Sequence, residues 1–158
     1  MRTEYIHYGS SELLPIQKIR NQKHFSKPVG GIWASPVDAK FGWKDWCKRE
    51  HFRVCELSNS FKFILNEDAK IFHIYSVSDL KKLPLQDKDK LSDFFLISQY
   101  YLDFEKIEKE YDGIELHLSE ENFEETGFGK GLYFSLYGWD CDSIILFHDN
   151  VIEKWWSK

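Results

Sequence analysis

Three short segments, far apart in the sequence, contain residue types that can bind a ligand or act on it. The first holds His7, Gly9 and Ser10, the second holds Trp33 shortly after a glycine pair, and the third holds Asp142. Histidine and aspartate can carry charge and hydrogen bonds, and tryptophan offers a stacking surface for planar ligands. Each residue is also common in ordinary strands, cores and turns, so only the combination favours a functional site.

Other patterns have some of the residue types of a metal or phosphate site but lack the rest of the motif. Cys47, His51 and Cys55 follow one another at four-residue steps, but a structural zinc site needs four ligands and no fourth is nearby. The stretch 127–131 is rich in glycine without the spacing of a phosphate-binding loop. The acidic stretch 120–125 lacks the ordering of a calcium loop. We therefore assign no metal site.

The composition of the 158-residue chain excludes several classes of protein. Apolar residues make up 42% and aromatic residues 17%, which is incompatible with a disordered chain. A net charge of −5 argues against a dedicated duplex-DNA binder, because such proteins are usually basic. No apolar run is long enough to span a membrane, and the first residues are too polar for a signal peptide. Three cysteines then indicate reduced thiols and a cytoplasmic protein.

Short strands must position the three segments. Alternating or continuous apolar runs predict strands over 5–8, 32–34, 61–65, 69–75, 114–118, 132–134 and 143–147. Helical spacing predicts helices over 38–52 and 91–111, with a short one beginning near 78. Several strands and few helices, without strand–helix alternation, predict one α+β domain over 1–158 with a mostly antiparallel sheet.

Together the three segments resemble the ADP-ribosyltransferase superfamily, in the His-Tyr-Glu branch of diphtheria toxin and the poly-ADP-ribose polymerases. The stretch 7–10 is similar to the family's His-Gly-Ser, with one residue inserted. The stretch 30–35 is similar to its glycine-containing aromatic strand, with Trp33 where tyrosine is usual. The stretch 142–147 is similar to the family's late strand, which begins with an acidic residue, with Asp142 in place of glutamate. A competing match to the aromatic strand, 129–135, lies too close to Asp142 to leave room for the family's intervening elements.

The resemblance implies a split β-sheet and a mono-ADP-ribosyltransferase that consumes NAD as a substrate, with no resident cofactor. It implies that Asp142 is the catalytic acid and that His7 hydrogen-bonds the adenosine ribose. It also implies that Gly9 and Ser10 meet the carboxamide or the adjacent ribose, and that Trp33 stacks on the nicotinamide. A carboxylate suits this chemistry because breaking the nicotinamide–ribose bond develops positive charge on the sugar.

Some assignments stay open within that interpretation. The pyrophosphate of NAD needs a cation, and Arg20 or Lys27 can supply it. Asp140 and Glu115 are alternative catalytic acids. The acceptor of ADP-ribose can be a protein, a nucleic acid or a small molecule, and the loop 119–131 is expected to recognise it. A small protein of this kind resembles bacterial or phage toxins and effectors.

Three other functions remain open from the sequence. The first is an NAD glycohydrolase, in which water is the acceptor. The second is a binding module on the same scaffold that performs no chemistry. The third is an aromatic-rich interaction protein of unrelated fold. The sequence predicts no oligomeric state.

Overall fold

The computed structural model describes residues 1–23, 25–87, 101–118, 136 and 138–158. Within these residues, one sheet is formed by β1 (Tyr5–Tyr8), β2 (Ile32–Pro36), β3 (Ser60–Leu65), β4 (Ile71–Ile74), β5 (Gly113–Leu116), β6 (Ser143–Leu146) and β7 (Ile152–Trp156). The short helices are α1 (Trp43–Arg49), α2 (Val77–Leu80) and α3 (Phe104–Ile107), with single 3-10 turns at Leu57–Asn59 and Asp149–Val151. The predicted α+β class with a mostly antiparallel sheet is confirmed.

The strands follow the order β4-β5-β6-β2-β1-β3-β7, and only β4 and β5 run parallel. The pairing of β1 with β2 is short, because it joins only Tyr5 to Pro36 and Ile6 to Ser35. Past these pairs, β1 continues along β3 as far as Tyr8, while β2 continues along β6. The sheet therefore has two halves connected by a joint of two residue pairs, which we call the β1–β2 joint.

Apolar clusters cover both faces of the half that contains β6. Ile144 and Leu146 belong to one cluster, and Ile145 and Phe147 belong to the other. All four residues of β6 are buried, as expected for a strand in the middle of a sheet with both faces covered. Asp142, the residue directly before β6, is therefore held by a rigid element, and Asp140 lies two residues before it.

Helix α1 is shorter than the helix that apolar spacing predicts over 38–52. At its end, His51 has a φ of 55°, in the left-handed region, and the Phe52 N–H donates to the Cys47 carbonyl over 3.0 Å. This is the Schellman arrangement that closes many helices. Because the chain leaves the helix there, Cys55 does not share a helix face with Cys47 and His51.

The second predicted long helix, over 91–111, is confirmed in its described part only over Phe104–Ile107. Residues 101–103 are not helical, and α3 begins only at Phe104. Its start is capped by Asp103, whose carboxylate accepts the Lys106 N–H. The rest of this prediction lies outside the described residues, as do the predicted strand 132–134, the loop 119–131 and the competing motif 129–135.

Replacing His51 with glycine is expected to raise the free energy of unfolding by up to about 1 kcal/mol, because glycine enters the left-handed region without the steric cost of a Cβ. The matched control is Lys48→Gly, which places glycine at an exposed position inside α1. The control should lower the free energy of unfolding by about 1 kcal/mol. Urea unfolding followed by circular dichroism measures both values, and a loss of stability in both variants would contradict this helix end.

Candidate functional site

A groove of about 220 Å³ opens beside the β1–β2 joint, and we call it the first groove. Its lining combines aromatic rings, two cations and one carboxylate. These residues are Tyr8, Trp33, Trp43 and Trp139, then Lys27 and Arg53, and then Asp140. A groove with large apolar walls and few charged groups is the usual form of a small-molecule site.

The aromatic wall of the first groove is built around Trp33. Its ring meets that of Trp139 edge to face, with 4.7 Å between the ring centroids. The ammonium of Lys27 lies 5.2 Å from the centroid of the Trp33 ring, within the range of a cation–π contact. Burial lowers the pKa of Lys27, and the nearby carboxylate of Asp140 acts in the opposite direction. The two charges thus face one another in the same groove.

His7 lies on β1 just past the β1–β2 joint, and its side chain reaches β2. Its Nδ1 lies 2.7 Å from the carbonyl oxygen of Trp33, and its ring packs 5.1 Å from the ring of Phe61. A carbonyl only accepts, so Nδ1 is the protonated nitrogen and Nε2 is an acceptor in the neutral ring. Burial lowers the pKa of His7, which favours this neutral form. Gly9, two residues further along, has a φ of 122°, a conformation that residues with a Cβ rarely adopt.

A second groove, of about 270 Å³, adjoins the first at His7. Ser10 lines it together with Gly31, which leads into β2. At Gly31, φ is 70° and a Cβ would lie 2.8 Å from the carbonyl oxygen of Leu146, so the start of β2 requires glycine. His7 is the residue that lines both grooves, which makes them neighbours.

Not all predicted binding residues line these grooves. Arg20 forms a backbone bridge with Val29, and it is not among the lining residues of either groove. Lys27, the alternative cation, lines the first groove. The structure therefore brings together His7, Trp33 and Lys27, places Ser10 in the adjoining groove, and leaves Arg20 outside.

The three candidate acids occupy different surroundings. Asp142 is buried, its carboxylate lies 3.4 Å from the Phe41 N–H, and it lines neither groove. Glu115 is also buried outside the grooves, and its carboxylate accepts the Tyr5 hydroxyl at 2.8 Å. Asp140 lines the first groove. Asp142, the predicted catalytic acid, therefore lines neither groove, whereas the alternative acid Asp140 lines the first groove.

Part of the first groove is formed by residues that were not predicted from the sequence. Trp43 lies at the start of α1, and Arg53 lies beyond its end with its guanidinium carbon 5.8 Å from the Trp43 ring. Trp139, next to Asp140, was not predicted to line a site. The available signal was the density of aromatic and cationic residues over 43–53, most of which fall in the predicted helix 38–52.

No family model, curated protein or solved structure matches this sequence. Within the described residues, no helix has both the length and the apolar character needed to cross a bilayer.

Lowering the pH should destabilise the protein through His7. The unfolded chain takes up a proton near pH 6.5, whereas the partly buried ring of the folded protein resists protonation until a lower pH. The free energy of unfolding therefore falls as the pH drops below about 6.5, by at most about 1.4 kcal/mol per pH unit for one proton. His7→Gln should make this dependence shallower, as measured by urea unfolding between pH 7.5 and 5. His148→Gln, outside both grooves, is the control, and an unchanged slope in His7→Gln would refute the assignment.

Proposed function

We propose that the protein binds NAD across the two grooves and transfers its ADP-ribose to an acceptor. The observation that carries this proposal is that His7 lines both grooves. NAD is two nucleotides joined through a pyrophosphate, so one molecule can occupy two adjoining grooves. The resemblance of the segments around His7, Trp33 and Asp142 to ADP-ribosyltransferases supports the same ligand.

The first groove suits the nicotinamide half. Its walls offer the rings of Tyr8, Trp33 and Trp43, and the nicotinamide ring of oxidised NAD is a planar cation. A cation over a tryptophan face is the most favourable cation–π pair. Trp33 therefore takes the role that tyrosine has in the family that the sequence resembles.

The charged groups of the first groove suit the rest of the molecule. Lys27 and Arg53 can bind the two phosphates, in place of the Arg20 assignment. The neutral His7 ring has an acceptor nitrogen at Nε2, which can take a hydrogen bond from a ribose hydroxyl.

The chemistry requires a carboxylate near the sugar that is attacked. When the bond between nicotinamide and C1′ of the ribose breaks, nicotinamide leaves with the electron pair and positive charge develops on the sugar. Asp140 can stabilise that charge from the first groove, and it can accept the proton of the acceptor hydroxyl or amine that bonds to C1′. We therefore place Asp140, rather than Asp142, in the catalytic role.

Asp140→Asn is expected to lower the rate of nicotinamide release from NAD by about 100-fold or more, because a charged group is lost with little change of volume. The matched variant is Asp142→Asn, whose side chain contacts the backbone at Phe41. It should lower the melting temperature while the folded fraction keeps its turnover. Free nicotinamide is quantified by chromatography, and NAD labelled in the adenine ring follows free ADP-ribose and labelled macromolecules.

Each outcome of that assay separates one alternative. Label on a macromolecule supports transfer, and free ADP-ribose alone supports a glycohydrolase. Binding of NAD without turnover leaves a binding module. Loss of turnover in Asp142→Asn but not in Asp140→Asn would restore the assignment made from the sequence.

Trp33→Ala should weaken the binding of NAD about tenfold or more, because stacking of a base on an aromatic ring contributes about 1–3 kcal/mol. Equilibrium dialysis with labelled NAD measures the dissociation constant. Trp155→Ala is the control, since Trp155 is exposed on β7 and outside both grooves. Equal affinities for the two variants would contradict NAD binding in the first groove.

A further inference from the structure

Three side chains that can bind a metal ion meet at the parallel pair of strands β4 and β5. His73 pairs in register with Glu115, and His117 lies two residues further along. Paired residues of neighbouring strands point to the same face of a sheet, and so do residues two apart in one strand. The backbone alone therefore directs the three side chains to one face, and we call them the His-Glu-His cluster.

The distances within the His-Glu-His cluster fit a single ion. His73 Nδ1 lies 3.0 Å from His117 Nε2 and 3.5 Å from one carboxylate oxygen of Glu115. The other carboxylate oxygen lies 4.0 Å from His117 Nε2. A tetrahedral zinc ion with bonds of about 2.0–2.1 Å holds its ligand atoms about 3.3–3.4 Å apart. The measured distances lie on both sides of that value.

Neighbouring residues orient two of the three ligands. The Tyr5 hydroxyl donates to the carboxylate of Glu115 at 2.8 Å, and the ring of Tyr75 stacks on the imidazole of His117 with 4.2 Å between centroids. Such outer contacts are typical of metal sites, where they fix the ligands before the ion binds. In the rest of the described chain, no other group of three or more such ligand atoms comes within 4.8 Å.

The surroundings of Glu115 also favour a cation. The residue is only 3% exposed, and a buried carboxylate is costly unless a positive charge or several hydrogen bonds compensate it. The 3.0 Å separation of His73 Nδ1 from His117 Nε2 needs either a shared proton or a shared cation. A divalent ion would satisfy both nitrogens and the carboxylate at once.

We propose that His73, Glu115 and His117 bind one divalent transition-metal ion, with zinc as the best fit. Two imidazoles and one carboxylate form the donor set of several catalytic zinc sites, whereas calcium and magnesium prefer oxygen ligands alone. The His73 side chain is 42% exposed, so water or a small substrate can reach the fourth coordination position. The His-Glu-His cluster shares no residue with the two grooves, so the proposal does not depend on NAD binding.

Zinc titration of the full chain tests this site. The protein is freed of metal with a chelator and dialysed, and Zn²⁺ binding is measured by competition with a chromogenic chelator. We expect one ion per chain, and a loss of affinity of at least about tenfold in both His73→Ala and His117→Ala. His148→Ala, which removes a histidine outside the cluster, should bind as the parent does.

A second measurement separates loss of the site from loss of the fold. Zinc should raise the melting temperature of the parent and of His148→Ala, and much less that of His73→Ala or His117→Ala, because only a bound ligand stabilises the native state. Circular dichroism of each variant without metal confirms that it is folded. Absence of binding in the parent, or unchanged affinity in both cluster variants, would overturn the proposal. The second result would locate the ion elsewhere, for example at the cysteines.

Discussion

The short pairing of β1 with β2 is the constraint on which the rest of the site depends. Two residue pairs join the halves of the sheet. Beyond them, β1 is paired only with β3 and β2 only with β6. Backbone groups past the joint would lose their ladder partners at a cost of about 1–3 kcal/mol for each buried unpaired group. His7 meets part of that requirement, because its Nδ1–H donates to the Trp33 carbonyl in place of a strand amide. The two grooves meet at His7, where this side-chain hydrogen bond takes the place of a backbone hydrogen bond between strands.

Much of the fold could be predicted from the sequence, because most strands show a local pattern of alternating or continuous apolar residues. The apolar runs predicted the strands that carry His7 and Trp33, although β2 extends through Ser35 and Pro36, past the predicted end at residue 34. The end of α1 could not be predicted, since its last turn depends on a left-handed residue that is histidine rather than glycine. Strand β7 was also missed: it is mostly exposed and carries two charged residues, so its pattern has no apolar face.

The candidate site could be predicted only in part, for a related reason. Residues two apart in an extended strand point to the same face, so Asp140 and Asp142 are separated only by the bend of the chain at 141–142 as it enters β6. Contacts with Phe41 and Ser35, far away in sequence, determine that entry. The His-Glu-His cluster is harder still to predict. Glu115 and His117 show the two-residue spacing of one strand face, but His73 joins them only through the parallel pairing of β4 with β5.

Tyr5 connects these two regions of the molecule. Its backbone pairs with Pro36 in the β1–β2 joint, its ring stacks on Phe63 at 5.4 Å, and its hydroxyl donates to Glu115. A phenol hydroxyl must find a partner when it is buried, and a carboxylate on a central strand provides a strong one. The residue whose backbone pairs with β2 in the β1–β2 joint therefore also orients the Glu115 carboxylate through its side chain. Tyr5 thus links the β1–β2 joint to the His-Glu-His cluster, although the grooves and the cluster have no lining residue in common.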